Sequence, residues 1–281
     1  MTTRYTDSEI IAMWLESQPS PHTRDCYRRD AGRLQRLGKP LKGVVLSDLQ
    51  KFSQALADEG LAPISCARSI AAVKSLFGFC FRMRFIKSNP ALELRLPKYE
   101  LRLAERVLSE GGLKCLLAVE CTPRDRILLN LLYFAGLRVS ETCNLKWRNL
   151  HLQSDKNLVT VFGKNGRTRA VAIPDGLARD LVALRAAGYC PGADQPVFAS
   201  RTGRPLDRGR VRAILRDIAR RAGIAEPISP HWLRHAHASH ALDRGAPIHL
   251  VQATLGHASV STTGRYLHAR PTESSSFYLP D

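Results

Sequence analysis

Residues 230–270 read PHWLRHAHASHALDRGAPIHLVQATLGHASVSTTGRYLHAR, and this stretch decides how the rest of the chain is interpreted. His231 and Arg234 are three residues apart, so a helix would place them on the same face. A Leu-Gly-His triplet then ends at His257, and Tyr266 follows nine residues later. The stretch therefore combines a guanidinium, imidazoles and a phenol, which are the groups that a reaction at a phosphate needs when no metal assists.

A second arginine motif lies upstream, where residues 135–141 read AGLRVSE and contain Arg138 and Glu141. An arginine fork matches two phosphate oxygens and stays charged at any working pH. If Arg138 and Arg234 converge, they clamp the non-bridging oxygens of a phosphodiester, whose charge grows in the transition state. His257 would donate a hydrogen bond to the same oxygens.

Tyr266 is the candidate nucleophile, because a tyrosine oxygen can form a covalent phosphoester that stores the bond energy for religation. His231 would take the phenol proton, since an imidazole titrates near working pH. Residues 163–167 (GKNGR) form a predicted hairpin turn, from which Lys164 would protonate the departing oxygen. Taken singly, these residues are ambiguous, because tyrosines on amphipathic helices usually pack and hairpin lysines are usually solvated.

The order and spacing of these motifs resemble the tyrosine recombinase (phage integrase) family, and a looser likeness extends over the whole chain. The resemblance implies a catalytic set of Arg138, Lys164, His231, Arg234, His257 and Tyr266. Glu141 falls where the family carries an acidic residue, and we interpret it as orienting the basic groups. The implied reaction is site-specific strand exchange between two DNA duplexes through a 3′-phosphotyrosyl intermediate, without a metal or nucleotide cofactor.

The resemblance also implies a fold and an assembly. The family forms a C-shaped DNA clamp from a helical core-binding domain and a mixed catalytic domain, and it acts as a homo-tetramer on two duplexes. The tail at residues 271–281, with the apolar tip Phe277-Tyr278-Leu279, would pack on a neighbouring protomer. Because no further domain precedes the helical one, the chain looks most like the Xer-type recombinases.

The residue pattern itself predicts a mainly helical α+β fold in two domains. Residues 1–95 read as helices throughout, the charged and Pro-marked residues 96–105 as a linker, and residues 106–281 as a mixed domain. Three segments of the second domain are predicted as strands of a small antiparallel sheet: 145–152, 157–162 and 168–173.

The charge balance favours a polyanionic partner. The formal net charge is +17 and the isoelectric point is about 10.1. Residues 1–98 hold 16 Lys and Arg against 9 Asp and Glu, and residues 99–281 hold 26 against 16, so both domains are basic. Such an excess indicates nucleic acid, although a merely basic protein would have the same totals. Seven arginines are predicted to contact double-stranded DNA: Arg24, Arg28, Arg29, Arg33, Arg36, Arg167 and Arg169.

A histidine cluster raises the alternative of a zinc hydrolase. His231 and His235 have the i, i+4 spacing of zinc ligands on a helix. No carboxylate accompanies them as in HExxH, and Arg234 between them disfavours a dication, so the sequence predicts no metal site. Two further alternatives stay open: a type IB topoisomerase with similar chemistry, and a DNA-binding relative that does not catalyse.

The cysteine pattern predicts a cytoplasmic protein. Seven cysteines are scattered without a CxxC pair, which indicates reduced thiols. The sequence suggests neither a signal peptide nor an apolar run of membrane-spanning length, so no membrane partner is predicted.

Overall fold

The computed structural model describes residues 5–97, 107–153, 156–163, 168–188, 192–257, 259 and 263–264. The chain divides into two compact units, Met1–Leu101 and Arg102–Asp281, and each unit has its own apolar core. The described residues are mainly helical and include a small antiparallel sheet, which confirms the predicted fold class.

The described part of the first unit contains four α-helices: α1 (Asp7–Glu16), α2 (Pro21–Gln35), α3 (Leu46–Asp58) and α4 (Pro63–Arg82). Local chemistry sets where they start. A capping box joins Thr6 and Glu9 at the start of α1, and a proline opens both α2 and α4, where a helix leaves the N–H unbonded. The ring of Trp14 stacks on Tyr27 with 4.9 Å between centroids, so α1 and α2 share one core.

A buried carboxylate, Asp30, ties α2 to α4. Asp30 is completely buried and accepts hydrogen bonds from the Ser69 hydroxyl at 2.8 Å and from the Arg68 guanidinium. Arg33 lies 3.3 Å from the same carboxylate. A buried charge is tolerated only with such partners, so this cluster joins the two helices at one fixed point.

Helix α4 is long and apolar enough, by length and composition, to span a membrane. This corrects the expectation that the chain has no such run. Half of the apolar window is buried inside the unit, where Ile70, Val73 and Phe77 form part of the core. A helix at the centre of a bundle is apolar on most sides and passes the same test, so its length and composition are weak grounds for a membrane span.

The described part of the second unit contains both helices and strands. The helices are α5 (Glu110–Ala118), α6 (Pro123–Phe134), α7 (Val139–Cys143), α8 (Asp175–Ala186), α9 (Arg208–Arg221), α10 (Pro230–Asp243) and α11 (Ile248–Leu255). The strands β1 (Leu150–Gln153), β2 (Lys156–Phe162) and β3 (Thr168–Ala172) form an antiparallel sheet in the order β1-β2-β3. Val159 pairs with Leu150 on one side and with Val171 on the other.

The first strand is shorter than the sequence predicts. Residues 145–149 precede β1 instead of belonging to it, because Trp147–Asn149 form a 3₁₀ turn. The Asn149 side chain closes this turn by accepting a hydrogen bond from the Lys146 N–H at 3.0 Å. Trp147 is buried in the core, so its apolar character reflects packing and not strand alternation.

Helix α6 lies at the centre of the second unit. Leu128, Leu131 and Leu132 are completely buried, and both α8 and α10 pack against this helix. The AGLR segment leaves the C-terminal end of α6, and Arg234 lies on α10. The packing of α10 against α6 therefore brings the two arginine motifs together.

Candidate active site

Two glycines shape the region where the motifs meet. Gly136 follows α6 with a φ of 57° and turns the chain toward α7, whose N-cap is Arg138. A Cβ at residue 136 would lie only 2.8 Å from Cδ2 of Leu255, so glycine is required by the positive φ and by the close approach of α11. Gly256 ends α11 with a φ of 63°, which makes it a left-handed C-cap. The Leu-Gly-His triplet is thus a helix terminus, with His257 the first residue beyond the cap.

Three consecutive carbonyls at the C-terminus of α11 each accept a hydrogen bond from a different arginine. The pairs are Arg169 Nε to Thr254 at 2.7 Å, Arg234 Nη2 to Leu255 at 2.5 Å, and Arg138 Nη2 to Gly256 at 3.1 Å. A helix C-terminus carries unpaired carbonyls and a partial negative charge, and both attract cations. The end of α11 therefore gathers guanidiniums from β3, α10 and the start of α7.

Arg234 is the most deeply placed of the three. It is 4% exposed, and its Nη1 donates to the carbonyl of Gly136 at 2.5 Å. One guanidinium thus bridges the turn after α6 and the last turn of α11. The planar fork of arginine can satisfy two carbonyls at once, which a lysine ammonium cannot do with the same geometry.

Glu141 is buried and accepts four hydrogen bonds. Its Oε1 accepts from Nη1 of Arg138 and Nη1 of Arg169, both at 2.8 Å. Its Oε2 accepts from the backbone N–H of Arg138 at 2.8 Å and from Nη2 of Arg169 at 3.0 Å. Burial alone would raise the pKa of Glu141, but the hydrogen bonds from Arg169 and Arg138 outweigh burial and lower the pKa to about 2. The carboxylate is therefore ionised at physiological pH.

His257 is partly buried beside the arginines. Its Nδ1 lies 2.9 Å from the hydroxyl of Thr263. Desolvation, followed by the positive charges of Arg234 and Arg138, lowers the pKa of His257 to about 4. The imidazole is therefore neutral at pH 7 and acts as a polar donor or acceptor, not as a third cation.

His231 lies on the first turn of α10, with its side chain reaching the surface. Desolvation and then the charges of Arg234, Arg212 and Arg138 lower the pKa of His231. Its ring lies 6.4 Å, centroid to centroid, from that of His235. Within the described residues, no group of three or more His, Cys, Asp or Glu side chains could hold a metal ion.

A third imidazole, His237, packs behind the site. A Cβ at residue 136 would lie 3.0 Å from its ring, so His237 and Gly136 are in direct contact. Burial lowers the pKa of His237 to about 4. Nearby, the Tyr133 hydroxyl lies 3.1 Å from Nδ1 of the buried His240.

A family model described as the phage integrase family matches residues 92–273, and one described as the phage integrase N-terminal SAM-like domain matches residues 10–83. The chain belongs to the phage integrase family. Membership of this family agrees with the order of motifs around α10 and α11.

Relatives of this phage integrase family member carry recombinase names. The tyrosine recombinase XerC of Xylella fastidiosa (strain 9a5c) is 37% identical over 276 residues, covering 94% of this chain and 92% of the relative. The tyrosine recombinase XerD of Chlorobaculum tepidum is 35% identical over 270 residues, covering 90% of this chain and 88% of the relative. The chain is accordingly a tyrosine-type recombinase, an enzyme of site-specific DNA recombination.

Solved structures share the fold. The XerH site-specific recombinase bound to its difH substrate superposes with a TM-score of 0.75 at 20% identity, covering 99% of this chain and 86% of that one. A lambda integrase dimer bound to a COC′ core site also gives a TM-score of 0.75, at 19% identity, covering 96% of this chain and 79% of that one.

The structure brings together four of the residues that the sequence singled out, and they are Arg138, Glu141, Arg234 and His257. His231 lies close enough for its pKa to respond to both arginines. The remaining predictions of this set fall outside the described residues: Lys164, Arg167, Tyr266 and the tail at 271–281.

The arginines predicted to bind DNA fall into two groups. Arg169 lies in the site itself, with its fork on Glu141 and its side chain 13% exposed. The other described members lie on or next to α2 and have partners within the first unit. These are the Gln18 carbonyl for Arg24, Asp25 for Arg28, the Cys26 sulfur for Arg29, Asp30 for Arg33 and Glu59 for Arg36.

An arginine stripe on α9 was missed by the sequence analysis. Arg208, Arg212 and Arg216 recur every four residues on its exposed side, and none of them has an ion-pair partner among the described residues. Arg220 continues the row but is paired with Asp217 at 2.9 Å. The signal was the four-residue recurrence of arginine opposite an apolar face.

Proposed function

We propose that the chain cuts and rejoins duplex DNA through a covalent 3′-phosphotyrosyl intermediate on Tyr266 and exchanges strands between two sites. The observation that carries the proposal is the meeting of Arg138, Arg234 and His257 at the C-terminus of α11. Together they can surround the non-bridging oxygens of one phosphate. The relatives named tyrosine recombinase XerC and XerD support the same chemistry.

The two arginines would neutralise the scissile phosphate. A guanidinium has five N–H donors, and the hydrogen bonds from the Arg138 side chain to Glu141 and Gly256 use one on Nη1 and one on Nη2. Charge on the phosphate oxygens grows toward the transition state, and a preorganised donor of this kind contributes about 3 kcal/mol to its stabilisation. Arg234, held by two carbonyls, would be fixed before DNA arrives.

His257 would act as a neutral hydrogen-bond donor. If the Thr263 hydroxyl donates to Nδ1, the ring proton lies on Nε2 and is directed away from that contact. A neutral donor suits this position, because an imidazolium beside two guanidiniums would be electrostatically costly. The lowered pKa of His257, about 4, agrees with this role.

Cleavage requires two proton transfers. The Tyr266 oxygen would form a bond to phosphorus while the bond from phosphorus to the 5′ oxygen breaks. His231 would accept the phenol proton, since its lowered pKa keeps the ring neutral at pH 7. Lys164 would give a proton to the departing oxygen and leave a 5′-hydroxyl. The 5′-hydroxyl of a second duplex can then displace the tyrosine.

DNA contacts would come from both units. We assign residues 1–95 as a core-binding domain, 96–105 as a linker and 106–281 as the catalytic domain. In the first unit Arg28, Arg29 and Arg36 are exposed, and the surface ion pairs of Arg28 and Arg36 hold their guanidiniums only weakly. In the second unit the α9 stripe offers the phosphate backbone guanidiniums that have no ion-pair partner among the described residues, and one of them, Arg212, lies near His231.

The assembly and the compartment are further parts of the proposal. A homo-tetramer on two duplexes would be active, with the tail at 271–281 packing on a neighbouring protomer through its apolar tip. A cytoplasmic location would give access to DNA and suits the six described cysteines, which are all free thiols.

Covalent trapping tests the proposal. A duplex is first selected by wild-type protein from a randomised library, then nicked so that a cleaved strand is lost, and incubated with protein and a chelator. We expect an adduct that survives denaturant for wild type and for Tyr27→Phe, which keeps the stacked ring, but none for Tyr266→Phe. Wild type that binds without forming an adduct, or an adduct that persists in Tyr266→Phe, would contradict the proposal. Relaxation of plasmids lacking the selected sequence would indicate a topoisomerase instead.

A further inference from the structure

Arg169 lies inside the second unit, where its guanidinium connects separate segments of the chain. It lies on β3 and is 13% exposed, and its Nη1 and Nη2 atoms meet the two oxygens of Glu141 at 2.8 and 3.0 Å. Its Nε donates to the Thr254 carbonyl at 2.7 Å. The guanidinium also packs on Gly256, where a Cβ would lie 3.0 Å from Nη1. All three of its nitrogen atoms are therefore engaged inside the second unit.

These contacts connect three segments that are distant in the sequence. Glu141 belongs to α7, Thr254 and Gly256 belong to the end of α11, and Arg169 itself belongs to β3. Arg138 touches two of the same partners, since it donates to Glu141 and to the carbonyl of Gly256. A shift of Arg169 would therefore be transmitted to Arg138 through the carboxylate and through the helix end.

We propose that Arg169 is a positioning residue, which sets the orientation of Arg138 and of the Leu255-Gly256-His257 segment by holding Glu141 and the end of α11, and which does not contact DNA. This inference rests on the proposed function, in which Arg138 and His257 contact the scissile phosphate.

Hydrogen-bond saturation is the first part of the argument. A carboxylate offers about four acceptor positions, and the two arginines supply four donors to Glu141. The carboxylate therefore has one orientation only. Without Arg169 each oxygen would keep a single donor, from the Arg138 side chain or from its backbone N–H, and the Oε1 atom and the Arg138 guanidinium could shift together.

Charge is the second part. Arg138 and Glu141 alone form a neutral pair, which would attract a phosphate poorly. Arg169 adds a positive charge to the same carboxylate, so the trio of Arg138, Glu141 and Arg169 carries a net charge of +1. Arg169 thus leaves Arg138 effectively cationic toward the substrate while Glu141 still fixes its direction.

The test separates positioning from DNA contact by measuring two quantities for each variant. The variants are Arg169→Gln, Arg169→Lys and the control Arg148→Gln, which removes an exposed guanidinium paired with Asp194. Binding to the selected duplex is measured over a range of salt concentrations, and cleavage of the nicked duplex is measured under single-turnover conditions. Loss of a phosphate contact lowers the salt slope of binding by about 0.9.

We expect Arg169→Gln to cleave about 10- to 100-fold more slowly with an unchanged salt slope, because misplaced groups slow the chemistry without removing a contact to DNA. Arg169→Lys keeps the charge but loses the fork, so it should recover only part of the rate. Arg148→Gln should match wild type. A reduced slope with a normal cleavage rate in Arg169→Gln would overturn the inference in favour of a DNA contact.

The pH profile of cleavage distinguishes positioning from a merely structural role of Arg169. The charged groups that face Glu141 are Arg169 from β3 and Arg138 from the start of α7, and His257 follows Gly256 on the other side. Removing Arg169 should raise the pKa values of Glu141 and His257, since its charge lowers both. The acid limb of cleavage should then move to higher pH in Arg169→Gln. A uniformly slower reaction with an unmoved acid limb would count against positioning.

A double variant completes the test. If Arg169 acts through Glu141, Arg169→Gln/Glu141→Gln should cleave at nearly the rate of Glu141→Gln alone, whereas multiplied losses would contradict the inference. Arg169→Lys serves the same measurements if Arg169→Gln is too unstable to purify. Failure of the proposed function would appear separately, as the absence of any adduct with wild-type protein.

Discussion

The carbonyl of Gly256 accepts a hydrogen bond from Nη2 of Arg138 at 3.1 Å, and this contact joins two motifs that are 118 residues apart. It depends on the left-handed cap at Gly256, which exposes the carbonyl at the end of α11. No side chain fits at residue 256 without a shift of its neighbours, because Arg169 packs against the Cα of Gly256.

Gly256→Ala should therefore impair cleavage more than its backbone strain alone explains. The matched control is Gly245→Ala, since Gly245 also has a positive φ, 80°, but a Cβ there meets nothing within 4 Å. Each alanine should cost about 1 kcal/mol of unfolding free energy for the left-handed conformation. Only Gly256→Ala should also slow single-turnover cleavage, by about tenfold, through displacement of Arg169. Equal cleavage rates for the two variants would contradict this account.

Glu141→Gln should destabilise the chain in a pH-dependent manner. The folded pKa of Glu141, about 2, lies below the ordinary value of 4.5, so its stabilising contribution is present above pH 4.5 and is lost as the pH falls toward 2. The side chain is 4% exposed, and the shift corresponds to about 3 kcal/mol at neutral pH. Urea unfolding should show that Glu141→Gln is less stable than wild type by this amount at pH 7. Below pH 4.5 the difference in unfolding free energy between the two proteins should become smaller.

Glu59→Gln is the control for that prediction. Glu59 forms an exposed ion pair with Arg36, so its loss should change the unfolding free energy by about 0.5 kcal/mol or less. A Glu141→Gln deficit that stays constant from pH 7 to pH 3 would mean that packing, not charge, accounts for it.

Two histidines predict a second loss of stability in mild acid. The pKa values of His237 and His257, about 4, lie below the ordinary value of 6.5, so the folded state binds fewer protons than the unfolded state between these values. Stability should therefore fall as the pH drops from 6.5 to 4, by an amount on the order of a few kcal/mol.

His237→Gln should flatten the pH dependence of the urea midpoint, because one of the two imidazoles is removed. His249→Gln, which replaces an exposed side chain on α11, should leave the pH dependence as in wild type. An NMR titration of the His257 ring should place its midpoint near pH 4. A midpoint near 6.5 would show that burial and the neighbouring guanidiniums do not lower its pKa.

The elements that could be predicted from the sequence are those with a local sequence signal. The hairpin strands alternate apolar and polar residues around a glycine-containing turn, and the helix around Arg234 begins at Pro230, so both elements could be predicted. The convergence of Arg138, Arg234 and His257 is different. It depends on carbonyls exposed by α11 and on the five-residue helix α7, and neither short element has a period that a sequence pattern reveals.

Arg169 shows where the sequence carried a signal that was not used. It occupies the same face of β3 as Val171, and alternation extends this face to Ile173, both of which are buried. An arginine on the buried face of a strand predicts an internal anion, whereas we predicted a DNA contact for Arg169. The sequence could not identify that anion, because Glu141 lies 28 residues away in the chain.

The α9 stripe gives the last prediction. If Arg208, Arg212 and Arg216 contact successive phosphates, then replacing all three by glutamine removes three counterion-releasing contacts. The plot of log affinity against log salt should become shallower by about 3, and affinity at low salt should fall without a change in the preferred sequence.

Arg220→Gln is the matched control for this stripe. It lies in the same row of α9, and Asp217 at 2.9 Å offsets part of its charge, so the slope should change by less than the about 0.9 of one full phosphate contact. Fluorescence anisotropy measures the salt slope of each variant, once with the selected duplex and once with an unrelated duplex. An unchanged slope in the triple variant would mean that DNA does not pass over α9, and that the effect of Arg212 is limited to helping lower the pKa of the nearby His231.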